Sequence, residues 1–239
     1  MKGEILGLID YQPKHLNDIN VESVIGQIKP TILSSPLATR LMAGGGEPKA
    51  VIEANVAGRS VSLVMRAYDE NIVQCWQAFK EARLPVVPTL RRVTIEDSPW
   101  VLATDVKADG SEVYGSGLEV LLITGLRRER PPHPSVDQHF LELTNDQNFP
   151  KIIVKADSFS RLASAKGLLL PEDDAFELLV RPDGSWNLII LDLSGGRVIR
   201  EDLMRKKPDF CVKDNAKFTK DFFDHIINLR EILGSQSKK

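Results

Sequence analysis

The residues best suited to chemistry are acidic and lie late in the chain. Asp173 and Asp174 stand side by side in GLLLPEDDAFELLV, just before an apolar run, and Asp192 follows a second apolar run in WNLIILDLSG. An aspartate leaving the end of a buried strand is rigidly held and suits a Mg²⁺ ion beside phosphates. Two carboxylates brought close repel unless a cation or a proton separates them. Arg66, in VSLVMRAY, supplies a guanidinium that grips phosphate bidentately. Gly44-Gly45-Gly46 offers backbone N–H groups that wrap phosphates, although three glycines also make an ordinary surface turn. Other chemistries find less support. His15, His133, His139 and His225 lack metal-ligand spacing, and neither G-x-S-x-G nor a P-loop occurs. Leu126-Arg127-Arg128-Glu129-Arg130 is basic but diluted by Glu129, Asp137 and Glu142. It reads mainly as a solvated loop, with an acidic partner as the lesser alternative.

These residues need elements to hold them. Ile52, Ala54 and Val56 alternate with polar neighbours, the period of a strand. Ala57-Gly58-Arg59-Ser60 reads as a turn into a second strand, SVSLVMRAY. ENIVQCWQAFKEARL repeats Ile72, Cys75, Trp76 and Phe79 at helical spacing, with Pro85 and Pro88 closing it. LRRVTIE and SPWVLATDVKA predict two more strands, and Asp109-Gly110 a turn. Ser135 is placed to cap a helix through HFLELTND, and Gly167 to end the helix in FPKIIVKADSFSRLASAKG. FELLV and WNLIILDL flank Pro-Asp-Gly, which predicts a hairpin with strands near Phe176–Val180 and Trp186–Leu191. Phe222, Phe223, Ile226, Ile227, Leu229 and Leu233 predict a last helix from Thr219 to Leu233, stopped by Gly234. Residues 1–35 give no clear element.

The 239 residues suit one large domain or two small lobes, with no need of a disulfide or metal staple. The composition, 42% hydrophobic and 27% charged, is that of a globular chain. A net charge of -2 gives no field that would draw it to nucleic acid. No run of apolar residues is long enough to predict a membrane span, and the first residues do not resemble a signal peptide. Cys75 and Cys211 read as reduced structural thiols of a cytoplasmic protein.

The order of elements resembles the bilobal protein-kinase-like fold across roughly residues 50–200. The resemblance implies an α+β molecule with an antiparallel N-terminal sheet and one packed helix over residues 1–110. It implies a reduced, mostly helical lobe carrying the hairpin over 111–239. Arg66 falls where that family has the phosphate-holding Lys, and Gln77 or Glu81 where it has the paired Glu. The strand ending at Thr104, Asp105 and Val106 matches the hinge whose backbone meets a nucleotide base. Asp192-Leu193-Ser194-Gly195 stands in place of the metal-binding Asp-Phe-Gly element. Asp174 is compatible with the catalytic Asp, and Asp173 is its alternative. The His-Arg pair is missing, and five residues beyond Asp174 stands Leu179 rather than the second metal-holding Asn; aligning on the hairpin instead puts Pro171 at the catalytic position and Phe176 at that of the Asn.

The resemblance therefore implies a cofactor site for ATP and Mg²⁺ using Arg66, Asp105 and Asp192, with Asp192 as the metal ligand and Asp174 as the catalytic residue. The missing residues favour a pseudokinase-like protein, non-catalytic or weakly active, that presents a surface to a protein partner. Two alternatives stand beside it: an active ATP- and Mg-dependent phosphotransferase, and an unrelated α/β protein-interaction domain.

Overall fold

The computed structural model describes residues 49–56, 59–88, 90–95, 98–125, 128, 131–172, 174–199 and 209–236. The expected glycine cluster at 44–46, His15, the turn at Ala57-Gly58 and Asp173 lie outside them. The chain divides into two compact units. Of the described residues, one takes those up to Val73 together with those of Val87–Asp105, and the other those of Gln74–Val86 with those from Val106 onward.

The first unit is built on a four-stranded antiparallel sheet. Its strands are β1 (Lys49–Val56), β2 (Arg59–Ala67), β3 (Leu90–Ile95) and β4 (Ser98–Thr104), in the order β1-β2-β4-β3. Register pairs Leu63 with Thr104 and Arg66 with Val101 across β2 and β4. Leu63 and Met65 are buried two residues apart, as one face of a strand requires. β2 leads into helix α1 (Glu70–Glu81), whose residues fall partly in each unit. Ile72, Cys75, Phe79 and Ala82 form its buried stripe. Trp76, expected to share that burial, is half-exposed, with the Lys80 ammonium 4.4 Å from its ring. The helix ends before the prolines. Leu84 N–H donates to the Phe79 carbonyl at 2.9 Å while Arg83 adopts a left-handed φ of 62°, a closing geometry that glycine usually supplies.

In the second unit β5 (Glu112–Tyr114) is followed by helices α2 (Ser116–Ile123), α3 (Val136–Leu143) and α4 (Phe149–Ala165). Then come β6 (Leu168–Leu169), β7 (Glu177–Val180), β8 (Trp186–Ile189), β9 (Arg197–Val198) and helix α5 (Phe210–Gln236). β5, β7 and β8 make one antiparallel sheet and β6 pairs with β9. The hairpin forms as expected, with Gly184 at φ 80° in its turn. β8 stops at Ile189, short of Leu191, because the Ile190 N–H donates to the Pro85 carbonyl at 2.7 Å and so leaves the hairpin ladder. Helix α2 replaces the mixed character of GSGLEVLLITGL. Gly167 takes φ 66° just past α4, as a helix-ending glycine does.

Helix α5 is longer than its sequence predicts at both ends. Cys211, Asn215 and Phe218 extend the buried stripe of Phe222, Ile226, Leu229 and Leu233 toward the N-terminus. Gly234 lies inside the helix, and it lacks the positive φ that a terminating glycine would show. Along α4 the buried positions include Ala156, Ser160, Ala163 and Ser164. Their small side chains let α5 approach until the Ser164 hydroxyl reaches the Cys211 carbonyl at 3.3 Å. Phe176 meets Phe222 edge-on with ring centroids 6.0 Å apart, and Tyr114 stacks on Phe140 at 3.9 Å.

Candidate functional site

Arg66 and Asp105 belong to the first unit. Arg66 is 6% exposed on the central strand β2, so it is not a solvated strand arginine. By strand alternation it shares a face with Ser62 and Val64. Asp105 is also buried, just past β4, where its carboxylate accepts the Ser62 hydroxyl at 2.6 Å. The neighbouring Thr104 hydroxyl is buried with no hydrogen-bond partner among the described residues. On α1, Gln77 and Glu81 are both exposed.

Asp174 and Asp192 belong to the second unit, on two loops that touch. A side chain at Gly195 would meet the backbone of Pro171 and Glu172 at 3.5 Å, so the loop after β8 lies against the segment leading to Asp174. On its other side, a Cβ at Gly196 would stand 3.3 Å from Phe79 and 3.6 Å from the Cys75 sulfur. Leu193 is fully buried between these glycines and Asp192. The Asp192 carboxylate folds back on its own loop. Its Oδ1 accepts the Ser194 N–H at 3.0 Å and the Ser194 hydroxyl at 2.7 Å, the hydrogen-bonded turn that aspartate favours. Asp174, half-buried, accepts the hydroxyl of Ser116 at the start of α2. Each carboxylate thus has a serine donor. Among the described residues no three His, Cys, Asp or Glu side chains gather as a metal-binding group.

One deeply buried polar cluster centres on a residue to which no role was assigned from its type and position. Asn215 is fully buried on α5. Its Oδ1 accepts the Leu170 N–H at 2.8 Å, while its Nδ2 donates to the Leu168 carbonyl at 2.9 Å and the Ser164 hydroxyl at 3.0 Å. One amide therefore fixes β6 and the entry to the Pro171–Asp174 loop. The available signal was a polar residue in register with Cys211, Phe218 and Phe222.

A second group surrounds Glu112, only 1% exposed. The Lys107 ammonium lies 2.5 Å from it and the Arg128 Nε 3.6 Å. Arg128 also donates to both oxygens of Asp137, at 2.9 and 3.0 Å, and the Tyr114 hydroxyl donates to Asp137 at 2.6 Å. Arg128 is therefore turned inward as a structural cation, which corrects the reading of that residue as part of a solvated loop; Leu126, Arg127, Glu129 and Arg130 lie outside the described residues. Burial opposes its charge, but Asp137 and Glu112 outweigh that and raise its pKa. Burial, and then the Asp137 charge, push the Tyr114 hydroxyl far above its ordinary pKa. Ser135 precedes α3 without capping it. Its hydroxyl donates instead to the Pro182 carbonyl at 3.2 Å, tying the helix to the hairpin turn.

Helix α2 carries its one ionisable residue inward. Glu119 is 8% exposed, whereas Val120 and Ile123 are 60% and 66% exposed. Glu119 meets His225 Nδ1 through one oxygen, and its other accepts the Asn228 amide at 2.8 Å. Cys75 and Cys211 are both buried, and burial pushes the Cys211 thiol up. Among the described residues no helix is long and apolar enough to cross a membrane. The molecule is thus an α+β protein of short antiparallel sheets and packed helices. No family model matches the chain, and no curated protein is significantly similar to it.

Proposed function

We propose that this chain is a non-catalytic protein-interaction domain, held in the cytoplasm with its two thiols reduced. The observation that carries the reading is the engagement of the candidate acids. Asp105, Asp174 and Asp192 each accept a hydrogen bond from a nearby serine. A carboxylate used this way positions backbone rather than a reacting group. Helix α2 supplies the surface: with Glu119 turned inward, exposed Val120 and Ile123 form a face without charge. Such a face suits a partner segment that is apolar and uncharged, since a charged one would be desolvated there without a counter-charge.

Selection of displayed peptides on the full chain tests this reading, with Val120→Asp/Ile123→Asp as the counter-screen. Apolar, uncharged peptides should be enriched on the native chain and lost on the variant. Enrichment that ignores the two substitutions, or none at all, overturns it.

A second reading, a kinase-like nucleotide-binding protein, draws on different observations. The strand order β1-β2-β4-β3 with a helix between β2 and β3, the β7–β8 hairpin and the placement of Asp192 just beyond β8 all favour it. In that reading Asp192 holds Mg²⁺ with ATP, Arg66 and Asp105 serve the nucleotide, and Asp174 orients an attacking hydroxyl. Calorimetric titration of ATP with Mg²⁺ into the native chain and into Asp192→Asn separates the two. Saturable binding lost in the variant favours the second reading, and no binding by either protein favours the first.

A further inference from the structure

The β6–β9 pair has two outer edges, and the molecule treats them differently. Antiparallel pairing turns the backbone groups of alternate residues toward the partner strand and those of the residues between them outward. The Ile199 N–H donates to the Gly167 carbonyl at 2.8 Å, and Leu168 stands opposite Val198. Leu168 and Val198 therefore point their N–H and C=O groups outward. On β6 that edge is sealed by the Asn215 side chain, which donates to the Leu168 carbonyl at 2.9 Å and accepts the Leu170 N–H at 2.8 Å. On β9 no described group bonds the Val198 N–H or carbonyl, and no further described strand pairs there. Both residues of β9 are exposed, Val198 at 50%. Such an edge is a template for another strand.

The cations beside this edge lack counter-charges. Arg197 in β9 and Lys166, next to Gly167, are exposed, and neither side chain has an ion pair or hydrogen bond among the described residues. Elsewhere in the same unit Lys107, Arg128, Lys217, Lys220 and Arg230 each hold a carboxylate. Of the carboxylates on adjoining segments, Glu172 is taken by Lys217 at 3.4 Å, and Asp192 accepts from Ser194. Asp209 and Asp214, at the start of α5, make no ion pair with Arg197 or Lys166.

We propose that β9 takes up an extended, acidic peptide of a partner protein as an added strand. Side chains along a strand alternate between its faces, so Arg197 and Val198 offer a cation on one face and an apolar side chain on the other. The peptide that fits both alternates acidic and aliphatic residues. Its backbone bonds the Val198 N–H and carbonyl, and its carboxylates supply the charge that Arg197 and Lys166 lack. A lipid headgroup or a nucleic acid would meet the cations but leave the backbone pair unmet, and a second copy of β9 would bring more cations to the same edge. The proposal does not rest on the α2 face.

Calorimetric titration of the full chain with a synthetic peptide of alternating Glu and Val tests the proposal. Saturable binding is expected, and it should weaken as salt rises. Arg197→Glu should weaken it roughly tenfold, since a like charge is then set against the peptide. Val198→Pro removes only an outward N–H, at a place where an edge strand tolerates proline. It should weaken binding about fivefold, the scale of one net hydrogen bond. Val120→Asp/Ile123→Asp should leave binding unchanged, which separates this surface from the α2 face. If Val198→Pro fails to fold, the same peptide N-methylated along its backbone decides on the native chain, because it cannot donate to a strand and should not bind. No saturable binding overturns the proposal and leaves the cations as guards of the edge. Binding that ignores both Val198→Pro and N-methylation overturns it too, as does equal binding of a peptide with Glu and Val in separate blocks. Capture of the chain by phosphatidylserine vesicles, with none by the peptide, would assign the cations to a membrane surface and overturn it as well.

Discussion

Two polar regions of the second unit use similar residues to different ends. Around Asn215 an uncharged amide is fully buried and bonded to a strand residue, the residue just past that strand and a helix serine. Around Asp192 a carboxylate sits half-exposed and bonded within its own loop. An interior amide with every bond made fixes distant segments to one another. The loop carboxylate's bonds to Ser194 fix a turn, and its charge remains near solvent. The region that looks most like chemistry in the sequence is therefore the less constrained of the two. The region that looks like plain helix holds the architecture.

The largest effect should come from the packing beneath the Asp192 loop. Phe79 is fully buried and lies 3.3 Å from where a Gly196 side chain would begin. Phe79→Ala should cost about 3–5 kcal/mol, the usual range for a buried aromatic. Trp76 is half-exposed, so Trp76→Ala should fall clearly below the ~3 kcal/mol lower end of that range. Denaturant melts check both. Equal losses would mean that Trp76 is as buried as its helical spacing suggested.

Asn215→Leu should come next. It removes the acceptor of Leu170 N–H and the donor of the Leu168 carbonyl, and leaves both inside. Each unmet buried group costs roughly 1–3 kcal/mol, so the two together cost about 2–6 kcal/mol, part of which the buried Leu side chain offsets in the same melts. A near-neutral result would erase the contrast between the two regions, because the buried amide would then be no more constraining than the loop carboxylate.

Tyr114 extends the comparison to pH. Its folded pKa is raised, first by burial and then by Asp137. Raised against an unfolded value of about 10, it contributes stability that is full below that pH and is lost as pH rises beyond it. The loss should approach about 1.4 kcal/mol per pH unit above 10. Ultraviolet titration at alkaline pH should show one of the three tyrosines ionising only as the chain unfolds. Tyr114→Phe should remove that step, and a Tyr114 that ionises freely in the folded chain would contradict its burial.

Much of this was legible beforehand, for reasons that differ by residue. The hairpin was readable because Pro-Asp-Gly and the two apolar runs are local signals. The buried stripe of α1 was readable from its period, but the period could not say that Trp76 stands at the stripe's margin. Gly234 misled because glycine ends a helix only when it takes a positive φ, which neighbouring contacts decide. Ser135 misled because a hydroxyl in reach of Pro182 has a choice of acceptor that sequence does not display. Asp174 and Asp192 were readable as candidates, but not the serines that engage them, since Ser116 lies on another element. Asn215 and Glu119 were overlooked, and Arg128 was misread as solvated, for one shared reason. Each is polar by type and buried by tertiary contact, and residue type alone argues for the surface.

The smallest expected effect falls on Asp192 itself. Asn replaces the carboxylate with an amide whose Oδ1 still accepts from Ser194, so the turn survives substitution. The side chain is not fully buried, so little desolvation changes when the charge is lost. Asp192→Asn should therefore alter stability by no more than about 0.5 kcal/mol, as surface changes outside special features do. Paired denaturant melts of the two proteins measure this. A larger loss would mean that the charge, and not only the acceptor, holds the loop, and Asp192 would then join Asn215 among the residues that fix the architecture. A gain in stability would point the other way, to a carboxylate kept at a cost in a place where a cation-binding function would explain the cost. The small predicted change also makes Asp192→Asn a clean variant for the nucleotide titration, because any loss of binding could not be ascribed to unfolding.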